Sequence, residues 1–573
     1  MGAVTFARSL VPKSNWARFS YSIGTSFSKQ YSTTTTTTTP THKHSSKSKP
    51  RTLTHENEAL DFANRKATLL ASGADLYPLL KPLPEAPRLR IPEFRAKWTA
   101  HAPHIDNPYG VDASAPPPLF TVQGRIRTIR KSGKGLIFMD LIQDQTKLQI
   151  VINKTKANLS QETFDDAHAS LRRGDIVSCT GTPWKTKSGE LSLLADRPAQ
   201  LLAPCFHPIP TNLTNETTRR HNRVVDLVAN KPARDVLIVR ATVLAYVREF
   251  FAHKGFLEVQ TPMLADLASG ATATPFVTHS KALSSDGTPR ELALRIAPEL
   301  WLKRLVVSGF DKVFEVGQNF RNEGIDATHN PEFTTCEFYE AYATLDDLVA
   351  LTQDLLRGVV ERIGELHPDV FTERVRELRD AFAADFRAVD FVKEIEAKSG
   401  LQLPADLSNV DRLVEFYKSA GIPRPGNLVS AAKLLDGLAG HYLEPQSEGT
   451  FEPLLITNHP AAMSPLAKTD LVSGLSRRFE LFIDGKEFVN AYEEENSPLA
   501  QRHKFAAQQR ERAEFEDGEV PLPDESYVEA LEWGLPPTGG WGLGVDRLCM
   551  LVTGSKRIEE VLAFGGIKAV NYQ

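Results

Sequence analysis

The tract from Leu119 to Asn153, LFTVQGRIRTIRKSGKGLIFMDLIQDQTKLQIVIN, limits the fold more than any other part of this 573-residue chain. Short β-branched runs alternate apolar with polar residues, and Gly and Asp divide the runs at turn positions. A period of two sends neighbouring side chains to opposite faces, so these runs read as half-buried strands. The pattern resumes at Asp175 to Cys179 and Leu191 to Ala195 and predicts a small five-stranded barrel over 119–205.

The arrangement looks like an OB barrel, a fold that binds single-stranded nucleic acid on aromatic platforms beside a basic groove. Arg125, Arg127, Arg130, Lys131 and Lys134 supply charge, and Phe138 supplies a ring. The same basic residues also suit an ordinary solvated face, and composition leaves both readings open.

Upstream, residues 51–118 suggest one amphipathic helix (Leu60, Ala63, Ala67, Leu70) and then a connector marked by Pro82, Pro84, Pro87 and Pro92, closed by the Pro116 to Pro118 run. Residues 1–55 hold eight basic residues and no acid before Glu56; removing those eight from 67 leaves 59 against 71 acidic ones, a formal −12 for the body. An acid-free, Ser- and Thr-rich leader over 1–50 with Arg among apolar residues has the composition of a mitochondrial transit peptide, with a disordered tail as the alternative. No apolar run reaches the roughly 18 to 20 residues of a membrane-spanning helix. Cys179, Cys205, Cys336 and Cys549 never form CxxC, which argues against a disulfide scaffold or a cysteine-rich zinc site.

After a linker at 206–230, the segment 231–573 opens with a helical stripe through Val236, Val239, Val243, Val247, Phe250 and Phe251, ended by Gly255. Strand-like LALRI, KVFEVG, FELFIDG and FVNAYEE follow, and the IDGKE turn favours an antiparallel sheet in an α+β domain. Residues 360–455 are helical by pattern and carry no recognisable motif.

GxxxxGK[ST], strand-coupled GxGxxG, HExxH and GxSxG are all missing. Three dense segments remain: Phe320 to Tyr342, Arg477 to Pro498 and Gly534 to Leu548. Arg321 offers a planar fork for a carboxylate or phosphate, and Arg547 follows a glycine run that lets a ligand approach closely. Glu480 and Glu487 flank a predicted hairpin turn; two carboxylates beside a triphosphate suggest Mg²⁺. Surface ion pairs and a tight helix–sheet contact at the glycines are the competing explanations.

GFLEVQTPML, FRNEG with HNPEF, and GLGVDR resemble motifs 1, 2 and 3 of class II aminoacyl-tRNA synthetases, and the likeness spans about four fifths of the chain. RIAPELWLKRL, VFEVGQNFRNEGIDATHNPEFT, NHPAAMSPLAK and GLPPTGGWGLGVDRL are similar to the lysine-specific branch with an N-terminal OB domain; the class I sequences HIGH and KMSKS are absent. The resemblance implies a class II antiparallel sheet with helices behind an OB-fold barrel, ATP as substrate, Mg²⁺, L-lysine and tRNA(Lys) as ligands, a homodimer with Pro262 at its interface, and a place in the mitochondrial matrix.

Position by position, the resemblance makes Arg321 and Arg547 the catalytic arginines. Arg321, Glu323, His329, Phe333, Glu480 and Arg547 are then the ATP site, with Phe333 under adenine and Arg547 on the γ-phosphate, and Glu480 and Glu487 are the metal carboxylates. Gly270, Glu299 and Glu337 match positions near the α-amino group, and Tyr339, Asn490, Tyr492 and Glu494 match the side-chain pocket. Arg130, Phe138, Gln149 and Glu190 match anticodon-reading positions. Glu494 facing an ε-ammonium would form a charge-assisted bond that an uncharged analogue leaves unpaired; with Glu493 and Glu495 beside it, a solvated acidic run is the other reading. Ser269 in place of a glycine and an insertion at Ser284 to Pro289 depart from the family pattern. Aspartate- and asparagine-specific relatives would need cationic or amide groups where Glu494 stands. A paralogue without charging activity would have lost Arg321, Arg547 or the glutamates, and all are present.

Overall fold

The computed structural model describes residues 55–565 except 74, 101, 103–117, 268–269, 272, 286–287, 427–428, 516–519 and 521. The leader and Ser269 therefore lie outside the described residues. The helix His55–Ala71 belongs to one compact unit, and residues 74–573 form the other.

In the second unit, β1 (Phe120–Lys131), β2 (Leu136–Gln143), β3 (Thr146–Asn153), β4 (Ile176–Lys185) and β5 (Leu191–Ala195) close in the order β1-β2-β3-β5-β4 back to β1, and β6 (Gln200–Ala203) extends β4. Alternation explains the closure. Ile137, Met139 and Leu141 of β2 fill the barrel with Leu148, Ile150 and Ile152 of β3, while Phe138 and Asp140 face outward. The proline-marked connector is more than a connector: the helix Ile91–Trp98 buries Ile91 and Phe94 in the barrel core and packs Trp98 on Phe120, with centroids 5.7 Å apart. Likewise the 206–230 linker contains the helices Glu216–His221 and Arg223–Ala229.

The larger part is built on an eight-stranded sheet. Its strands are β7 (Leu257–Glu258), β11 (Lys312–Phe320), β12 (Glu332–Ala341), β13 (Arg387–Asp390), β14 (Leu454–Thr457), β15 (Arg478–Ile483), β16 (Lys486–Glu493) and β17 (Thr538–Gly544). Their order is β13-β14-β15-β16-β17-β12-β11-β7, antiparallel except where β13 and β7 pair at the two edges. A smaller three-stranded sheet holds β8 (Leu264–Ala265), β10 (Thr288–Leu294) and β9 (Val277–Ser285), so the insertion at 284–289 sits at a hairpin tip.

The predicted stripe is realised in the helix Lys231–His253, with Val236, Val239, Val243, Val247 and Phe251 buried and Phe250 partly so. Gly255 follows it at φ +83°, a backbone conformation that other residues adopt at a steric cost. Phe251 stacks on Phe314 at 5.1 Å, and Phe338 stacks on Trp541 at 5.1 Å. Burying such rings contributes roughly 1.5–3 kcal/mol each, and here it seals one face of the sheet with the helices Lys231–His253 and Leu345–Leu366. The 360–455 region is mostly helical as its pattern predicts, but β13 and β14 tie it into the main sheet, and Phe391, Leu413, Phe416, Leu434 and Leu438 form a core of their own with Ile456. All four cysteines are free thiols. No helix among the described residues is long and apolar enough to cross a membrane.

Candidate active site

The other face of the sheet carries a cavity of about 510 Å³. Strand alternation selects its walls: on β12, Cys336 and Phe338 face the helices, so Phe333, Thr335, Glu337 and Tyr339 face the cavity. Cross-strand register then sets two rows. Glu480, Asn490, Gly542 and Glu337 are successive partners across β15, β16, β17 and β12, and so are Arg478, Tyr492, Gly540 and Tyr339. Each row has a glycine at its centre, so the glycine run forms a trough between bulky neighbours. Helix–sheet packing accounts only for Gly539, where a Cβ would meet Ala343 and Leu348 at 3.0 Å.

At one end lie the residues read as the nucleotide site. The Arg321 guanidinium sits 5.1 Å over the Phe333 ring, and its Nε is buried with no hydrogen-bond partner. A buried charged donor left open costs free energy unless a ligand fills it, so this geometry suits an anion. Arg547 donates through Nη1 to the Glu487 carbonyl at 2.7 Å and through Nη2 to His329 Nε2 at 3.1 Å. Because arginine can only donate, His329 Nε2 accepts, and Nδ1–H is left to donate to Asp326 at 2.8 Å. Glu323 is exposed at the cavity rim. Asp546 joins motif 3 to motif 2, accepting from Thr334 N at 2.8 Å and pairing with Arg240.

The two candidate metal carboxylates share the hairpin whose turn is Asp484–Gly485 (φ +51° and +68°), at the predicted IDGKE position. Burial works against ionised Glu480, but Arg478 and His459 at 3.1 Å outweigh it and hold its carboxyl below the usual range. Glu487 is pushed the other way by burial and by Glu480. Two carboxylates that repel, Glu480 mostly buried and Glu487 half-exposed, are a donor set a divalent cation would relieve, and Mg²⁺ needs only one or two carboxylates when phosphates complete its shell. No cluster of three or more acidic, His or Cys ligands occurs among the described residues.

At the other end, Glu299 and Glu337 line the cavity with Tyr339, Asn490 and Tyr492, and Gly270 adjoins Glu299. Tyr492 donates to Glu299 at 2.6 Å, and Asn490 accepts from Arg478 Nε at 3.0 Å. Burial beside Glu299 pushes Glu337 up to about 8, against the pull of Arg321 and Arg295. Glu494 departs from expectation. It is neither solvated nor facing an open pocket: fully buried, it forms an ion pair with Lys303 of this chain. Its neighbours are also placed, since Glu493 pairs with Arg477 at 3.2 Å and Glu495 with Lys504 at 2.8 Å.

Lys303, His459 and Arg478 were not legible as site residues. Lys303 had a signal in hindsight, a cation four residues after Glu299 on a helix face that also buries Leu300, Leu302 and Val306. On the barrel, Arg130, Phe138, Gln149 and Glu190 fall on its outer surface: Arg130 lies 5.6 Å over the Phe138 ring, Gln149 accepts from Ser192 at 3.0 Å, and Glu190 pairs with Lys147 at 3.2 Å.

Comparison with known proteins fits this geometry. Residues 215–568 match the family of class II tRNA synthetases (D, K and N), and residues 120–197 match the OB-fold nucleic acid binding domain. The mitochondrial lysine–tRNA ligase of Schizosaccharomyces pombe is 40% identical over 526 residues, covering 89% of this chain and 94% of its own. The mitochondrial lysine–tRNA ligase of Saccharomyces cerevisiae is 38% identical over 486 residues (79% and 83%), and a probable cytoplasmic lysine–tRNA ligase of Encephalitozoon cuniculi is 40% identical over 460 (78% and 86%). With its barrel, its antiparallel sheet and these matches, the chain belongs to the class II tRNA synthetases, among the lysine–tRNA ligases.

Proposed function

We propose that this enzyme activates L-lysine with ATP and transfers the lysyl group to the 3′ end of tRNA(Lys) in mitochondrial translation. The observation that carries the reading is one cavity with an open arginine donor over an aromatic ring at one end and buried glutamates at the other. In the first step a lysine carboxylate oxygen attacks the α-phosphorus of ATP, the bond to the bridging oxygen breaks, and pyrophosphate leaves lysyl-adenylate. Arg321 bridges carboxylate and α-phosphate, Phe333 supports adenine, and Arg547, steadied by His329 and Glu487, holds the γ-phosphate. Glu480 and Glu487 would hold Mg²⁺, which offsets phosphate charge. A ribose hydroxyl of the terminal tRNA nucleotide then attacks the acyl carbon and AMP departs. No protein nucleophile is required, so catalysis is positioning and electrostatics.

Glu299 and Glu337 take the α-ammonium, while Tyr339, Asn490, Tyr492 and Glu494 define the side-chain end. On the barrel, Phe138 and Arg130 give the anticodon a stacking platform beside Gln149 and Glu190. Exposed Leu257, Met263, Leu264 and Leu267 around Pro262 support a homodimer through motif 1. The acid-free leader and two relatives named mitochondrial support the matrix address, although another relative is named cytoplasmic. Amino-acid-dependent ATP/pyrophosphate exchange across the twenty amino acids tests the reading: lysine alone should drive it, and exchange with aspartate or asparagine but not lysine would refute it.

A further inference from the structure

We propose that Lys303 is a positioning residue of the amino-acid pocket: anchored by Glu299, its ammonium holds one oxygen of Glu494 so that the other is presented to the substrate's side-chain ammonium. The proposal rests on reading this cavity as a lysine site.

Lys303 lies on the helix Glu299–Val307 with its side chain wholly buried. Its Nζ donates to Glu299 Oε1 at 2.6 Å and pairs with Glu494 Oε2. The rings of Tyr339, Tyr492 and Tyr527 surround it at 5.7, 5.5 and 5.8 Å. A lysine buried for packing alone needs one counter-ion, and this one joins Glu299 of the cavity wall to the fully buried Glu494. Glu299 lines the cavity and accepts from Tyr492 at the oxygen that Lys303 also uses, so the lysine, the tyrosine and the acid hold one another in place.

The consequence falls on Glu494. Oε2 is ion-paired with Lys303 and neither buried oxygen has a hydrogen-bond partner, which leaves Oε1 open. Its position is marked by Gly540, where a Cβ would fall 1.8 Å from Oε1. Gly540 lines the cavity, so the open oxygen sits beside a stretch of wall that has no side chain. The groups that act on Lys303 are Glu299, Glu494 and Tyr527, and Lys504, which feels its charge, is paired with Glu495.

The test is pyrophosphate exchange by the full-length enzyme, with lysine and ATP varied separately, on wild type, Lys303→Met, Glu494→Gln and the double variant, with melting curves for each. Lys303→Met should raise KM for lysine at least tenfold while KM for ATP stays within twofold. It should also move the acidic limb of the kcat/KM profile for lysine to higher pH, since an acid without its cation holds a proton longer, and narrow the preference for lysine over norleucine. In the Glu494→Gln background the same substitution should add less than threefold to KM for lysine, because most of its effect passes through Glu494. That comparison decides the matter if Lys303→Met alone does not fold. Parallel changes in both KM values, an unmoved pH limb, or independent effects that multiply in the double variant would overturn the proposal. Lysine-independent exchange in wild type would instead overturn the reading of the pocket on which it stands.

Discussion

Gly540→Ala puts the trough to a direct test. The backbone at Gly540 lies outside the left-handed region, so alanine can adopt it and the perturbation is purely steric. The new Cβ would lie 1.8 Å from Glu494 Oε1 and 2.6 Å from Tyr339 Cε1, both well inside contact distance. Either the carboxylate swings from its place against Lys303 or the tyrosine ring shifts, and both belong to the proposed side-chain pocket. Overpacking by one methyl group in such a site costs about 1–3 kcal/mol, which at 1.36 kcal/mol per decade is a loss of roughly 5- to 150-fold. The loss should appear in kcat/KM for lysine in pyrophosphate exchange, through KM, with KM for ATP nearly unchanged because Arg321, Phe333 and Arg547 lie at the other end. Gly542→Ala is the steric contrast: its Cβ meets Glu337 Cγ at 3.5 Å, an ordinary contact, so its melting temperature should match wild type while that of Gly540→Ala falls. A folded Gly540→Ala enzyme with wild-type KM for lysine would show that the side-chain pocket lies elsewhere.

Arg321→Ala and Arg547→Ala should each slow exchange at saturating lysine by a factor corresponding to about 2–4 kcal/mol, as expected for a charge-assisted contact in a closed site; near-normal exchange in either would mean the nucleotide site is misplaced. Phe138→Ala should weaken tRNA charging by roughly 1–3 kcal/mol of tRNA affinity and leave exchange intact, and equal damage to both would make the ring a fold determinant. Burial beside Glu299 raises Glu337 to about 8 from an ordinary 4.5, so between those values the folded chain keeps a proton the unfolded chain releases, and stability falls as pH rises through the window. Glu337→Gln should therefore gain in melting temperature over wild type from about pH 5 to pH 8 and level off above; a constant difference would refute the assignment. Deleting residues 1–50 should leave lysylation by purified enzyme intact and strand a fluorescent fusion in the cytosol, and import of the truncated fusion would favour a tRNA-binding arm instead.

What was legible in the sequence follows from the range over which each signal acts. Alternation is local, so the inward set Ile137, Met139 and Leu141 and the outward Phe138 could be read from the order of residues, and so could the Asp484–Gly485 turn that sets Glu480 against Glu487's strand. The proline count hid the helix Ile91–Trp98 because a proline at the first turn of a helix is tolerated, and Pro92 sits there. Electrostatic partners are another matter. Glu494 reads as one acid in a run of three, and Lys303 as one cation of a KR pair, until the register Glu493 to Gly539 and Tyr339 to Gly540 folds the end of β16 over the helix Glu299–Val307. Nothing within a few residues of either side chain encodes that meeting. A reading from motifs gives the acid an incoming ammonium as partner, and the structure pairs it with a resident one, Lys303. The resident one explains how an acid can stand ready in so dry a place: a fully buried carboxylate is tolerable only when paired, and a pocket that must present one to an incoming cation needs a cation of its own behind it.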